Sequence, residues 1–86
     1  MSSSTRSPVL TRPRAARAHI DGSRLWVGLE DGREISVPIA WFDWLSAASS
    51  EQQGDLRIIE GGLGVWWEQL EDGVSVPWLL GLPEWP

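Results

Sequence analysis

Arg24-Leu25-Trp26-Val27-Gly28-Leu29 runs through Glu30-Asp31-Gly32-Arg33 into Glu34-Ile35-Ser36-Val37-Pro38, a strand, a tight turn and a second strand. Leu25, Val27 and Leu29 alternate with Trp26 and Gly28, the period of a strand with one buried face. Asp31-Gly32 tolerates the positive φ of a tight hairpin. Ile35 and Val37 resume the inward face, and Pro38 cannot continue a ladder. A second passage repeats the pattern: Leu70-Glu71-Asp72-Gly73 runs into Ser75-Val76-Pro77, with Trp67 placed before it as Trp26 is before the first. Each unit reads strand, Asp-Gly turn, strand, proline.

Working outward, Arg14 to Ile20 is a weak strand with Ala16, Ala18 and Ile20 on its inward side, and Asp21-Gly22 turns it into Arg24. The three strands make an antiparallel meander. Pro38 then opens a helix in which Trp41, Trp44, Leu45 and Ala48 form one stripe facing the sheet, with Phe42 at its border. Ser50 to Gln53 fits a capping box, Ser50 as N-cap and Gln53 at N3, and predicts a short helical turn ending near Gly54. Leu56 to Ile59 is a strand, Glu60-Gly61-Gly62 a turn, and Leu63 to Glu68 the returning strand. Val74 to Val76 is a short last strand, followed by a helical turn over Pro77 to Leu80. The expected class is α+β: a three-stranded antiparallel meander, one main helix, then two or three short antiparallel strands. Residues 1–13, rich in Ser, Arg and Pro, read as a disordered basic arm. Residues 14–80 read as one domain and 81–86 as a tail carrying Trp85.

A chain of 86 residues buries only about 60% of its unfolded surface, so it needs dense packing or a staple. It has no Cys, which excludes disulfides, thiolate zinc sites and thiol nucleophiles together. Seven Trp, at 26, 41, 44, 66, 67, 78 and 85, stand in for the staple. Residues 1–17 carry four Arg and no acid, whereas residues 18–86 carry three Arg and twelve acids. An acidic body favours basic partners and a basic arm the reverse. No segment approaches the roughly 20 apolar residues of a membrane span, and the start has no apolar core of a secretory signal. The expected compartment is a bacterial-type cytoplasm.

Catalytic patterns are missing. His19 is the single histidine, and no Ser or Asp is spaced around it as a triad would require. One His without Cys leaves only carboxylates as metal ligands, and Glu30-Asp31, Asp43 and Glu71-Asp72 do not match a calcium loop. Glu60-Gly61-Gly62-Leu63-Gly64 lacks the Gly-Lys-Ser/Thr that holds phosphates and opens no helix, so it reads as a hairpin turn. No catalytic residue, cofactor site or metal site is expected.

The tryptophans divide. Trp41 and Trp44, on the helix stripe, are expected in the core. Trp66 and Trp67 are adjacent on a strand and point to opposite faces, so one of them lies away from the helix-covered side, as does Trp26. Exposed aromatic patches mark contacts, and Trp is enriched among interface anchors. The arm offers Arg6, Arg12, Arg14 and Arg17 to phosphates, but no aromatic residue for base stacking, so direct nucleic-acid binding is the weaker reading.

Leu25 to Leu45, with Asp31-Gly32-Arg33-Glu34-Ile35-Ser36-Val37-Pro38 and Trp41-Phe42, resembles the bacterial family called domain of unknown function 2442. Ser50-Glu51-Gln52, Arg57-Ile58-Ile59, Gly61-Gly62-Leu63-Gly64-Val65, Trp67, Leu70, Ser75-Val76 and Leu79-Leu80 carry the resemblance onward, over roughly residues 15–80. The family usually has Pro where Asp43 stands, usually His and Trp followed by Pro where Trp66-Trp67-Glu68 stands, and acids without a Gly where Gly73 stands. The resemblance implies an α+β fold and a small protein, free-standing or joined to a helix-turn-helix domain that is not expected in this chain. It also implies an antitoxin-like role beside a small toxin, with no enzyme activity attached.

The expectation is therefore a small non-catalytic protein that binds and neutralises a basic partner. Trp26, Trp66 and Trp85 are the expected anchors, and Glu30, Asp31, Glu34, Glu68, Glu71 and Asp72 the expected charge. Two alternatives share parts of this surface. One is a phage- or mobile-element-type inhibitor of a nucleic-acid enzyme, its acids imitating phosphates; the other is a nucleic-acid-binding regulator using the Arg arm. A homodimer through the open sheet face is compatible with all three.

Overall fold

The computed structural model describes residues 13–81. Six strands form two antiparallel sheets of three, β1-β2-β3 and β4-β5-β6. In the first, β1 (Ala15–Asp21), β2 (Arg24–Leu29) and β3 (Glu34–Pro38) make the expected meander. Leu25 lies between Ile20 and Val37, and Val27 between Ala18 and Ile35, so one face is apolar. Trp26, between His19 and Ser36, points the other way. At the start of β1 the register shifts between Ala15 and Arg17, leaving Ala16 without a partner. This bulge puts Ala15 rather than Ala16 into the core.

The β2–β3 turn is built as its sequence requires. Gly32 N–H donates to Leu29 C=O (3.0 Å), Leu29 N–H to Arg33 C=O (2.8 Å), and Gly32 takes φ +97°. Asp31 holds the turn from outside, accepting the Arg33 backbone N–H (3.0 Å) and Nε (2.8 Å). These bonds, that from the Arg33 backbone first, keep its carboxyl below the usual 3.8.

The single helix expected after Pro38 is two pieces. A 3-10 turn, Ile39–Trp41, ends at Phe42, whose φ −122° and ψ 101° are those of a strand. The α1 turn (Asp43–Ser46) starts afresh, with Asp43 favourably placed at its positive end. The break rotates the stripe. Phe42 and Leu45 enter the core, and Trp41, expected inside, is 60% exposed. The cause is the break itself: the extended residue turns Phe42 inward beside Ile39, and Trp41, its neighbour, then points outward.

The next turn, α2 (Ser50–Gln53), carries the expected capping box one residue earlier. Ser49 Oγ accepts from Gln52 N–H (3.1 Å), and Gln52 Oε1 from Ser49 N–H (3.0 Å). Gln53 is used elsewhere. Its Nε2 donates to Leu45 C=O (2.9 Å), and its own C=O accepts the indole N–H of Trp67 (2.8 Å). Trp67 is fully buried, and that bond satisfies the donor its burial would otherwise orphan.

The second sheet holds β4 (Leu56–Ile59), β5 (Gly64–Trp67) and β6 (Asp72–Ser75). Here the repeated Asp-Gly is no turn. The chain reverses over Glu68 to Glu71, with Glu71 at φ +53°, while Asp72 and Gly73 pair with Trp67 and Trp66. Gly73 serves close approach instead: a Cβ there would stand 2.6 Å from Val65 O and 2.9 Å from Trp66 Cε3. Ser75 then caps α3 (Val76–Leu79), which buries Val76, Pro77 and Leu79.

The two sheets meet where β1 lies against β4 and the 3-10 turn Glu60–Gly62. Gly62 at φ +104° touches Ala15 backbone where a Cβ would be 3.0 Å from both N and O, so only glycine allows the join. The core runs through both sheets, from Leu25, Val27 and Val37 to Val65, Trp67 and Val76. Trp44 packs edge-on against Trp67, ring centroids 5.4 Å apart. Among the described residues, no helix is long and apolar enough to cross a membrane.

Candidate functional site

The exposed aromatic surface lies beside β6. Trp41, from the turn after β3, and Trp78, from α3, are 60% and 50% exposed, the large apolar side chains most open to solvent among the described residues. They meet edge to face with centroids 6.5 Å apart, and Phe42 packs against Trp78 at 5.9 Å. Trp41, Phe42 and Trp78 form one wall of a groove of about 320 Å³, and Gly73, Val74 and Ser75 of β6 form the other. That volume sits at the lower limit for small-molecule sites, which enclose most of their ligand. This groove is open along its length and suits side chains of a larger partner.

A second groove of about 320 Å³ adjoins it on the outer face of the same sheet, lined among others by Ile59, Gly64, Trp66, Gly73 and Pro77. Gly64 and Gly73 leave its floor bare, and Trp66 forms a side. Trp66 is half-buried, and its indole N–H donates to Glu68 Oε1 (3.1 Å), which also accepts from Arg57. Trp26 occupies the outer face of the other sheet, stacked on His19 at 6.5 Å with planes 7° apart.

The acids expected to act together are therefore divided. Glu71 and Asp72 stand at the start of β6, beside the aromatic groove. Glu30, Asp31 and Glu34 belong to the β2–β3 hairpin of the other sheet; Asp31 is paired with Arg33 and Glu34 with Arg17. Trp85, Arg6 and Arg12 lie outside the described residues. Arg14 and Arg17 are engaged within the domain, Arg14 Nη1 donating to Gly61 C=O (2.9 Å) and Arg17 Nη2 to Glu34 (2.9 Å). Arg24 is bonded to Ser36, so every described Arg has a partner in the fold. Asp21, Glu30, Asp43, Glu51, Asp55, Glu60, Glu71 and Asp72 meet no cation among the described residues. No group of three or more His, Cys, Asp or Glu that could hold a metal ion occurs among them.

Trp41 and Trp78 were not among the expected anchors. The helical spacing that counts Trp41 into a stripe holds only if the helix is unbroken at Phe42. Trp78 was legible: Val76 and Leu79, three apart, take the inward face of a single turn and leave Trp78 outside.

Two three-stranded antiparallel sheets, joined through a glycine contact and bridged by short helical turns, define an α+β protein. The chain belongs to the family of proteins of unknown function DUF2442, whose family model matches residues 15–81. It is similar in sequence and fold to a protein of unknown function from Rhodospirillum rubrum with a crystal structure. That likeness has 35% identity and a TM-score of 0.77, covering 84% of this chain and 90% of that one. No curated protein matches the chain. Asp43 opens α1, at a first helical position that accepts either Asp or Pro.

Proposed function

We propose that this protein is a non-catalytic binding module that captures and neutralises a basic protein partner, in the manner of an antitoxin, in the cytoplasm. The observation that carries the reading is the Trp41–Trp78 pair, solvent-exposed beside the open strand β6. A small protein gains nothing by leaving two tryptophans exposed together, and such anchors dominate the energy of protein interfaces. The charge supports the same reading. The described arginines are engaged within the fold, while Asp43 and Asp72, next in the chain to the groove residues Phe42 and Gly73, meet no cation among the described residues, which favours fast encounter with a cationic surface.

The uncompensated acids equally suit an inhibitor of a nucleic-acid enzyme, and competition with nucleic acid for the captured partner separates the two. The regulator reading draws less support, since Arg14 and Arg17 already serve the fold.

The test is affinity capture from the native host with nuclease, at low and moderate salt, using the wild-type chain and a Trp41→Ala/Trp78→Ala variant. A stoichiometric basic protein held by the first and lost by the second is the expected result. Equal capture by both chains, or a partner that is not basic, overturns the proposal.

A further inference from the structure

We infer that the partner contributes an extended, cationic segment that adds to β6 as a fourth strand of the second sheet; this rests on the binding role proposed above. The outer edge of β6 has no strand beside it among the described residues. Val76 N–H donates to Leu63 C=O (2.9 Å), and in an antiparallel ladder the residues that bond the neighbouring strand alternate. Val74 thus faces β5, and the N–H and C=O of Gly73 and the N–H of Ser75 face outward, the Ser75 carbonyl being taken by the first turn of α3. The Gly73 N–H bears this out, because its acceptor is Asp72 Oδ1 at 2.8 Å rather than a strand.

Exposed edges are normally blunted by Lys, Pro or a bulge. The edge of β3 shows such measures: Pro38 ends it, and Arg24 Nη2 occupies the Ser36 carbonyl (3.1 Å). The edge of β6 is short, four residues, but carries no Lys, Pro or bulge within Asp72–Ser75. Its side-chain guard is the carboxylate of Asp72, which an incoming carbonyl would displace from Gly73 N–H. The freed carboxylate then stands ready for a cation on the incoming strand. Side chains on one face of that strand enter the groove beside the Trp41–Trp78 wall, and those on the other extend over the bare floor at Gly73. Backbone pairing would supply affinity, and the alternate pockets selectivity. An alternating apolar and cationic segment meets all these demands.

The test uses a capped peptide of alternating Arg and Val, seven residues long, with an alternating Glu and Val peptide as control. Amide exchange and indole resonances are followed by NMR on the full chain, with peptide up to about 1 mM, the range for an isolated strand without its tertiary context. The Arg peptide is expected to slow exchange at the Ser75 amide about twofold at half occupancy and to shift the Trp41 and Trp78 indole signals; the Glu peptide does neither. Indole shifts without Ser75 protection overturn strand addition but leave the binding face standing. Neither effect overturns both. A Ser75 amide already protected in the free chain also overturns the inference, its concentration dependence telling a second copy from the chain's own termini. Ser75→Pro, which lacks the edge N–H, should lose the peptide while keeping the dispersed indole signals of a folded chain.

Discussion

Trp41 and Trp78 stand edge to face, planes 87° apart, although one follows the first sheet and the other closes the second. Their contact is a surface contact that depends on the core beneath it. Trp67, buried and bonded to Gln53, does the opposite work of holding that core. Trp67→Ala should cost about 3–5 kcal/mol, whereas Trp41→Ala or Trp78→Ala should cost about 1 kcal/mol or less. Urea unfolding of the three variants checks the ranking. A destabilisation by Trp41→Ala equal to that of Trp67→Ala would place Trp41 in the core after all.

Two glycines should respond to alanine with opposite sign. At Gly73 the added methyl meets the Val65 carbonyl at 2.6 Å, a backbone atom that cannot swing aside. Gly73→Ala should therefore lose about 1–3 kcal/mol through overpacking. Gly54 sits at φ −82°, with its nearest new contact at 3.6 Å. Gly54→Ala should gain about 0.4–1 kcal/mol by restricting the unfolded chain. Thermal melts of the pair decide whether Gly73 is there for approach rather than for a turn.

The capping frame can be read from two serines. Ser49→Ala removes the side-chain acceptor of Gln52 N–H and should cost about 1 kcal/mol. Ser50→Ala lies inside the first turn, where alanine is the better helix former, and should be neutral or slightly stabilising. Chemical denaturation giving the reverse order would restore the Ser50 frame.

Asp31 links the first hairpin to pH. The Arg33 N–H and guanidinium favour its ionised form, so its carboxyl titrates below the unfolded value of 3.8. Its contribution to stability is present above that value and is lost as pH falls through the lower folded one. Asp31→Asn should therefore flatten the acid limb of the stability curve below about pH 4 and leave the neutral plateau little changed, since the pair is exposed. An unaltered acid limb in pH-dependent melts would remove Asp31 from this role.

Much of the architecture was legible along the chain because period-2 alternation is a local property. Arg24 to Leu29, Leu56 to Ile59 and the opposite faces of Trp66 and Trp67 follow from it, as do the Asp31-Gly32 turn and the α+β class. Family membership was legible for a related reason: spaced turn and core residues such as Gly61-Gly62 and Trp67 serve joins that any chain of this fold must make.

Where the local signal was degenerate, only the tertiary structure decided. Ser49-Ser50-Glu51-Gln52-Gln53 contains two equally good capping boxes, and the choice fell to the first because Gln53 is needed against Leu45 and Trp67. Asp72-Gly73 is as good a turn as Asp31-Gly32, but packing Gly73 against Trp66 moved the reversal to Glu68–Glu71. Trp41, Phe42 and Trp44 fit either side of a helix, and the core took Phe42 by breaking the helix beside it. Local alternation along the chain is enough to mark most of the strands and the class of fold they make. Which tryptophans face water depends on packing, because a choice between two apolar residues is made by the shape of the space they fill.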